Sequence, residues 1–85
     1  YTVTGTLESM KETMFDGGIF RELELQTVSG TGYGYAVELC RFLDYREKEI
    51  SSSDFFSRYM KRVITIDFIE DREGRYAIIE CRVGR

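Results

Sequence analysis

Alternation with a period of two is the feature that most restricts how this chain can fold. In "VITIDFIEDREGRYAIIECRV" (residues 63–83), Ile64, Ile66 and Phe68 alternate with Thr65 and Asp67, and "EDREGR" then interrupts the pattern. Successive side chains of a strand point to opposite faces, so the alternation makes one apolar face and the polar, Gly-containing interruption makes a turn. A β-hairpin is expected here. On its last strand Ala77, Ile79, Cys81 and Val83 share one face, with Ile78 opposite beside Tyr76, Glu80 and Arg82. That strand is expected to be covered partly on both sides.

The same period recurs upstream. "YTVTGTL" (residues 1–7) alternates and reads as a strand. In "ESMKETMFDGG" the spacing of Leu7, Met10 and Met14 fits a helical stripe stopped by Gly17 and Gly18, or else the strand's end and a loop. "IFRELELQTV" (residues 19–28) puts Leu23, Leu25 and Thr27 on one face and Glu22, Glu24 and Gln26 on the other. Its parity shifts near Phe20 and Arg21, which suggests a bulge.

"ISSSDFFSRYMKR" is the clearest helix, expected over 51–62. Ser51 and Asp54 resemble a capping box, and Phe55–Tyr59 and Phe56–Met60 are apolar i,i+4 pairs. Arg58, Lys61 and Arg62 would fall in the last turn, where the helix dipole favours positive charge.

The middle, "SGTGYGYAVELCRF" (residues 29–42), reads two ways. As a strand it places Tyr33, Tyr35, Val37 and Leu39 on one face, while Gly34, Ala36, Glu38 and Cys40 join Glu22, Glu24 and Gln26 outside. As a helix over 34–48 it uses Ala36, Leu39, Cys40 and Leu43 as the stripe. Tyr, Val and the flanking glycines favour the strand.

Eighty-five residues make one small domain over 1–85, and a chain starting at Tyr1 rather than Met is expected to be a piece of a longer one. No apolar run is long enough to span a membrane, and the default expectation is a cytoplasmic, intracellular protein. Net charge is −3; residues 1–40 hold two basic and six acidic side chains, residues 41–85 ten and nine. Backbone-driven binding of duplex DNA calls for a basic surface, so that class is disfavoured.

Several chemistries fall away. Without histidine there is no Ser-His or Cys-His pair and no ordinary zinc site. Cys40 and Cys81 are far apart in sequence and read as small core side chains. The glycines of residues 30–34 have the wrong spacing for a dinucleotide fingerprint, and no Lys follows them as in a P-loop. Asp67, Glu70, Asp71 and Glu73 do not match an EF-hand loop and read as a solvated hairpin tip. No catalytic residue, metal site or cofactor is expected.

With a strand in the middle, the order is three strands, a helix and two strands. "VTGTL", "TVSGTGYGYAVEL" and "EDREGRYAIIECRV" then resemble the opening strand, second turn and closing hairpin of the OB-fold, a small five-stranded barrel. The fold class expected is thus β-rich α+β, an OB-like barrel with one short helix between its third and fourth strands. If residues 34–48 are helical, the alternative is a hairpin–helix–hairpin α+β unit resembling ubiquitin-like modules.

The OB resemblance implies a non-catalytic binding module for single-stranded DNA or RNA. Arg72, Arg75, Tyr76 and Arg82 are the candidate nucleic-acid contacts; the plainer expectation is that these arginines pair with Glu73 and Glu80. The alternative function is a protein-interaction or assembly module, meeting a partner protein or neighbouring domains of a parent chain. It would use exposed strand edges and an acidic face containing Glu22, Glu24 and Glu38.

Overall fold

The computed structural model describes residues 1–15 and 18–84. Its elements are β1 (Thr2–Phe15), β2 (Gly18–Thr27), β3 (Gly30–Leu43), β4 (Glu49–Ile50), α1 (Ser52–Tyr59), β5 (Val63–Glu70) and β6 (Tyr76–Val83). β1 pairs antiparallel with β2 and β5, β2 with β3, and β5 with β6. A parallel pairing of β3 with β6 completes a ring of five strands, and β4 adds two residues to the far end of β3. Parallel neighbours need a long crossover, which β4, α1 and β5 supply. The middle segment is therefore strand, and the hairpin–helix–hairpin alternative does not form.

Register shifts in β1 and β6 explain where the simple alternation fails, and a third falls in β3 between Ala36 and Arg41. Leu7 pairs with Leu25 and Ser9 with Glu24, which leaves Glu8 as an extra residue in β1. Leu7 and Met10, three apart, consequently both pack toward the core. That spacing looks helical in sequence but belongs to a bulged strand. Met14 is exposed, because β1 has by then run past the core. Gly17, half of the expected helix stop, lies outside the described residues.

In β6, Asp67 pairs with Glu80 and Phe68 with Ile78, so Ile79 is the extra residue. Ile78 and Cys81 are fully buried while Ile79 is 42% exposed. The expected single face of Ala77, Ile79, Cys81 and Val83 is thereby broken. The bulge anticipated near Phe20 and Arg21 is absent: Glu22, Arg21 and Phe20 pair in regular succession with Lys11, Glu12 and Thr13.

From Gly32 to Ala36, β3 turns the opposite way to its expected parity, and in the register shift that follows both Glu38, as expected, and Leu39 are exposed. Ala36 is buried, whereas Leu39 is 87% and Tyr33 57% exposed. The reason is volume. A Cβ added to Gly34 would lie 3.0 Å from Ile78 Cδ1, so the ring interior has room for glycine there and none for a tyrosine ring.

The helix is shorter than expected. The Ser51 hydroxyl accepts the Asp54 N–H at 3.1 Å, as the capping pattern predicts. The helix ends before Lys61, whose φ of 65° lies in the left-handed region, so Lys61 and Arg62 fall beyond the last turn. Their backbone serves another purpose: the Lys61 N–H donates to Leu7 O and the Leu7 N–H to Arg62 O, which ties the chain after α1 to β1. Phe55 and Phe56 pack on Phe42 at 5.5 and 5.4 Å and close that end of the ring. Leu7, Leu23, Ile64, Ile78 and Cys81 complete the fully buried set.

Candidate binding face

Register places an aromatic and acidic surface on the outside of the β1–β2–β3 sheet. Tyr33 stands opposite Glu24, and Tyr35 opposite Glu22. On the other flank of β2, Ser9 faces Glu24 and Lys11 faces Glu22. Directly opposed residues of a sheet share a face, so these six side chains form one patch. The Ser9 hydroxyl donates to Glu24 Oε1 at 3.1 Å, and Lys11 Nζ lies 3.6 Å from Glu22 Oε1.

The β5–β6 hairpin borders this patch, with Asp71 as its organiser. One carboxylate oxygen, Asp71 Oδ1, accepts the backbone N–H of Glu73 at 2.8 Å and of Arg75 at 2.9 Å. The other, Oδ2, accepts the Tyr35 hydroxyl at 2.8 Å and Arg75 Nε at 3.0 Å. Gly74, at φ 79°, provides the left-handed residue that the turn needs. The hairpin is thus locked to β3, with the Arg75 guanidinium 5.4 Å from the Tyr35 ring centre and Phe20 edge-on to that ring at 5.4 Å.

Partial burial pushes the Asp71 carboxyl up, but the Arg75 N–H, the Tyr35 hydroxyl, the Glu73 N–H and the Arg75 side chain outweigh it. They hold the group down at about 2. Burial, and next the bond to Asp71, raise the Tyr35 phenol above its ordinary value. Asp71 is therefore a fixed anion within a turn. A shallow hollow of about 250 Å³ lies between Glu22, Tyr33, Tyr35, Arg75 and Tyr76.

The expected site residues separate into groups. Arg72, Arg75 and Tyr76 sit together on the hairpin. Arg82 lies six residues beyond Tyr76 on β6, roughly 20 Å along an extended strand. It is bound to Asp67 at 2.6 Å and Glu80 at 2.9 Å. Arg75 likewise meets Glu73 at 2.6 Å as well as Asp71. Arg72 makes no ion pair among the described residues. Glu22 and Glu24 share the face described above. Glu38 is exposed past the last β2–β3 pair, Arg21–Ala36, and does not join them.

Sequence reasoning missed Tyr33, Tyr35, Phe20, Lys11 and Asp71 as members of this surface. The available signal was size alternation in "GTGYGYA", where glycine and alanine alternate with larger residues. Of the strand edges expected to be exposed, ring closure pairs most. β1 from Ser9 to Phe15 pairs with β2 alone, and Met14 and Ile19 are exposed opposite each other there.

Elsewhere, a hollow of about 530 Å³ is lined by Asp44, Glu47 and Arg82 among others. Asp44 accepts the N–H groups of Arg46 and Lys48, at 2.9 and 3.0 Å, and Arg82 is ion-paired. Among the described residues no three Cys, Asp or Glu side chains gather as a metal site, and no helix is long and apolar enough to cross a membrane. Compared with models of known protein families and with the curated proteins, the chain matches none.

Proposed function

We propose that this domain is a non-catalytic binding module on an OB-like ring, and that its outer β2–β3 face takes a basic segment of a partner protein. The OB-like reading is supported by the five-strand ring, by the parallel β3–β6 seam and by the helix between the third and fourth ring strands. In OB-folds the face of the second and third strands and the neighbouring loops carry ligands.

The observation that carries the choice of partner is the pairing of each tyrosine with a glutamate, Tyr33 with Glu24 and Tyr35 with Glu22. A cation over an aromatic ring gains ~0.5–1 kcal/mol at an exposed site. An exposed ion pair adds ~0.2–1 kcal/mol. Both favour a Lys or Arg side chain at the same place, and both glutamates oppose a phosphate. The face already holds one cation in this manner, since Arg75 lies over Tyr35. Tyr33 beside it is more than half exposed, and it makes no ring contact or hydrogen bond among the described residues.

Single-stranded nucleic acid is the second reading. It is favoured by the outward tyrosines, since stacking contributes ~1–3 kcal/mol per base, and by Arg72 and Arg75 alongside. Against it, Asp71 and Glu73 are ion-paired with Arg75, and Glu22 and Glu24 lie on the same sheet face as the tyrosines.

The two readings separate in one titration series at low salt, using a fluorescein-labelled arginine-rich peptide and labelled oligo-dT and oligo-U. Saturable peptide binding, weakened several-fold by Tyr33→Ala and by Glu24→Gln, is expected. Failure of the peptide to bind overturns the proposal. Oligonucleotide binding that falls steeply with salt and is lost in Arg72→Ala/Arg75→Ala would establish the second reading in its place.

A further inference from the structure

Among the described residues, side chains plug the ring at one end. Phe55 and Phe56 fill the end near Leu7 and Ile64. At the opposite end the interior opens into a cavity of about 490 Å³, walled by Val3, Leu23, Leu25, Ile66, Phe68 and Ile78. Its size arises from β3, which turns Gly32 and Gly34 toward it. A Cβ added to Gly32 would meet no atom within 4 Å, so this part of the interior is open space rather than tight packing. At the same end Tyr1 stacks on Phe68 at 5.5 Å, and Phe68 meets Tyr76 edge-on at 5.1 Å.

We propose that this cavity is a binding site for a small, neutral, largely hydrocarbon molecule. Well-packed interiors leave few voids larger than a water molecule, whereas ~300–1,000 Å³ is the range of small-molecule pockets. Among the described residues, no Asp, Glu, Lys or Arg lines this one. An ionised ligand would shed its hydration there without gaining a charged partner, since Ser29, Tyr33 and Tyr76 offer only neutral hydroxyls. The Thr27 hydroxyl is already engaged, donating to Gly30 O at 2.8 Å and accepting the Ser29 N–H at 3.1 Å. Hydrogen-bonded strands surround the site, so it exists before a ligand arrives. Tyr33 and Tyr76 line its mouth and also the hollow beside Glu22, so Glu24→Gln, which lies outside the cavity, is the variant that tests the face alone.

The test is a fluorescence titration of the full chain with the neutral apolar dye N-phenyl-1-naphthylamine. Saturable one-to-one binding with blue-shifted emission is expected. The series Gly32→Ala, Gly32→Val and Gly32→Leu grows side chains into the void without demanding an unusual backbone. It should weaken binding progressively, by at least about tenfold at leucine, with the melting temperature maintained. Leu39→Ser, which removes an exposed apolar side chain elsewhere, should leave binding unchanged. Absence of saturable binding, loss with Leu39→Ser, or undiminished affinity in whichever Gly32 variants melt cooperatively overturns the proposal. Gly32→Ala, the smallest addition, keeps the series readable if leucine disrupts folding.

Discussion

The Tyr35 hydroxyl and Arg75 Nε donate to the same oxygen, Asp71 Oδ2, from positions 36 residues apart and four residues apart. One carboxylate therefore fixes both the turn of the closing hairpin and the docking of that hairpin on β3. The face that carries Tyr33 and Tyr35 depends on it for its border.

A pH dependence follows from this geometry. Asp71 is held at about 2, below the ordinary 3.8, by its four donors. A depressed carboxylate contributes stability that is complete above the unfolded value and is lost as pH falls through the folded one. The contribution should thus be whole above pH 4 and fade toward pH 2. Asp71→Asn should be less stable than wild type at pH 6, with the gap narrowing below pH 4. Urea denaturation at a series of pH values measures it; a gap constant down to pH 2 would count against the assignment.

Phe55→Ala should remove the closed end of the ring. Phe55 is fully buried against Phe42, Phe56 and Tyr59. Truncating a buried phenylalanine costs ~3–5 kcal/mol. At ~0.05–0.15 kcal/mol per residue the whole domain has only ~4–13 kcal/mol to lose. Loss of a cooperative thermal transition, or a large fall in its midpoint by circular dichroism, is expected.

Gly5→Ala should destabilise where the Gly32 series does not. A Cβ at Gly5 would come within 2.7 Å of Gln26 O, a backbone atom that cannot turn aside. Overpacking of this kind costs ~1–3 kcal/mol. Thermal melts of Gly5→Ala beside Gly32→Ala give the comparison, and equal midpoints would show that the strands can spread at Gly5.

The two cysteines should differ in reactivity. Both are free thiols, with Cys81 fully buried and Cys40 half-buried. The neighbouring Cys40 side chain, and then burial, push the Cys81 thiol above its ordinary value. The thiolate is the reactive form, so Ellman's reagent at pH 8 should leave Cys81 untouched until the protein is unfolded. Modification of Cys81 in the native state, located by mass spectrometry of the peptides, would contradict this.

Much of the element order was readable because local periodicity encodes it. The 63–83 hairpin, the strand at 19–28 and the Ser51 cap all lie where alternation and capping put them. The candidate face was not readable. Tyr33 and Tyr35 are apolar enough to be assigned inward, beside Val37 and Leu39, and that assignment made the outer sheet look purely acidic. Of the hairpin and β6 residues first singled out, Arg75 and Tyr76 border one hollow, while Arg82 is held away along β6 by Asp67 and Glu80, partners that come from the fold.

The sequence by itself determined the strands at 1–7 and 19–28, the 63–83 hairpin, where the helix starts, and that no histidine-based or P-loop chemistry is available. These follow from short-range patterns of polarity and from composition. The strand state of residues 8–15 and 34–43 came from the fold. Only the tertiary structure decided which side of β3 turns inward, where Glu8 and Ile79 break the alternation, and that the ring keeps an open, apolar end. Those outcomes depend on volume. A five-strand ring with Ile78 on its inner side accepts Gly34 and Ala36 and excludes two tyrosines, and no count of apolar residues along the chain measures that space.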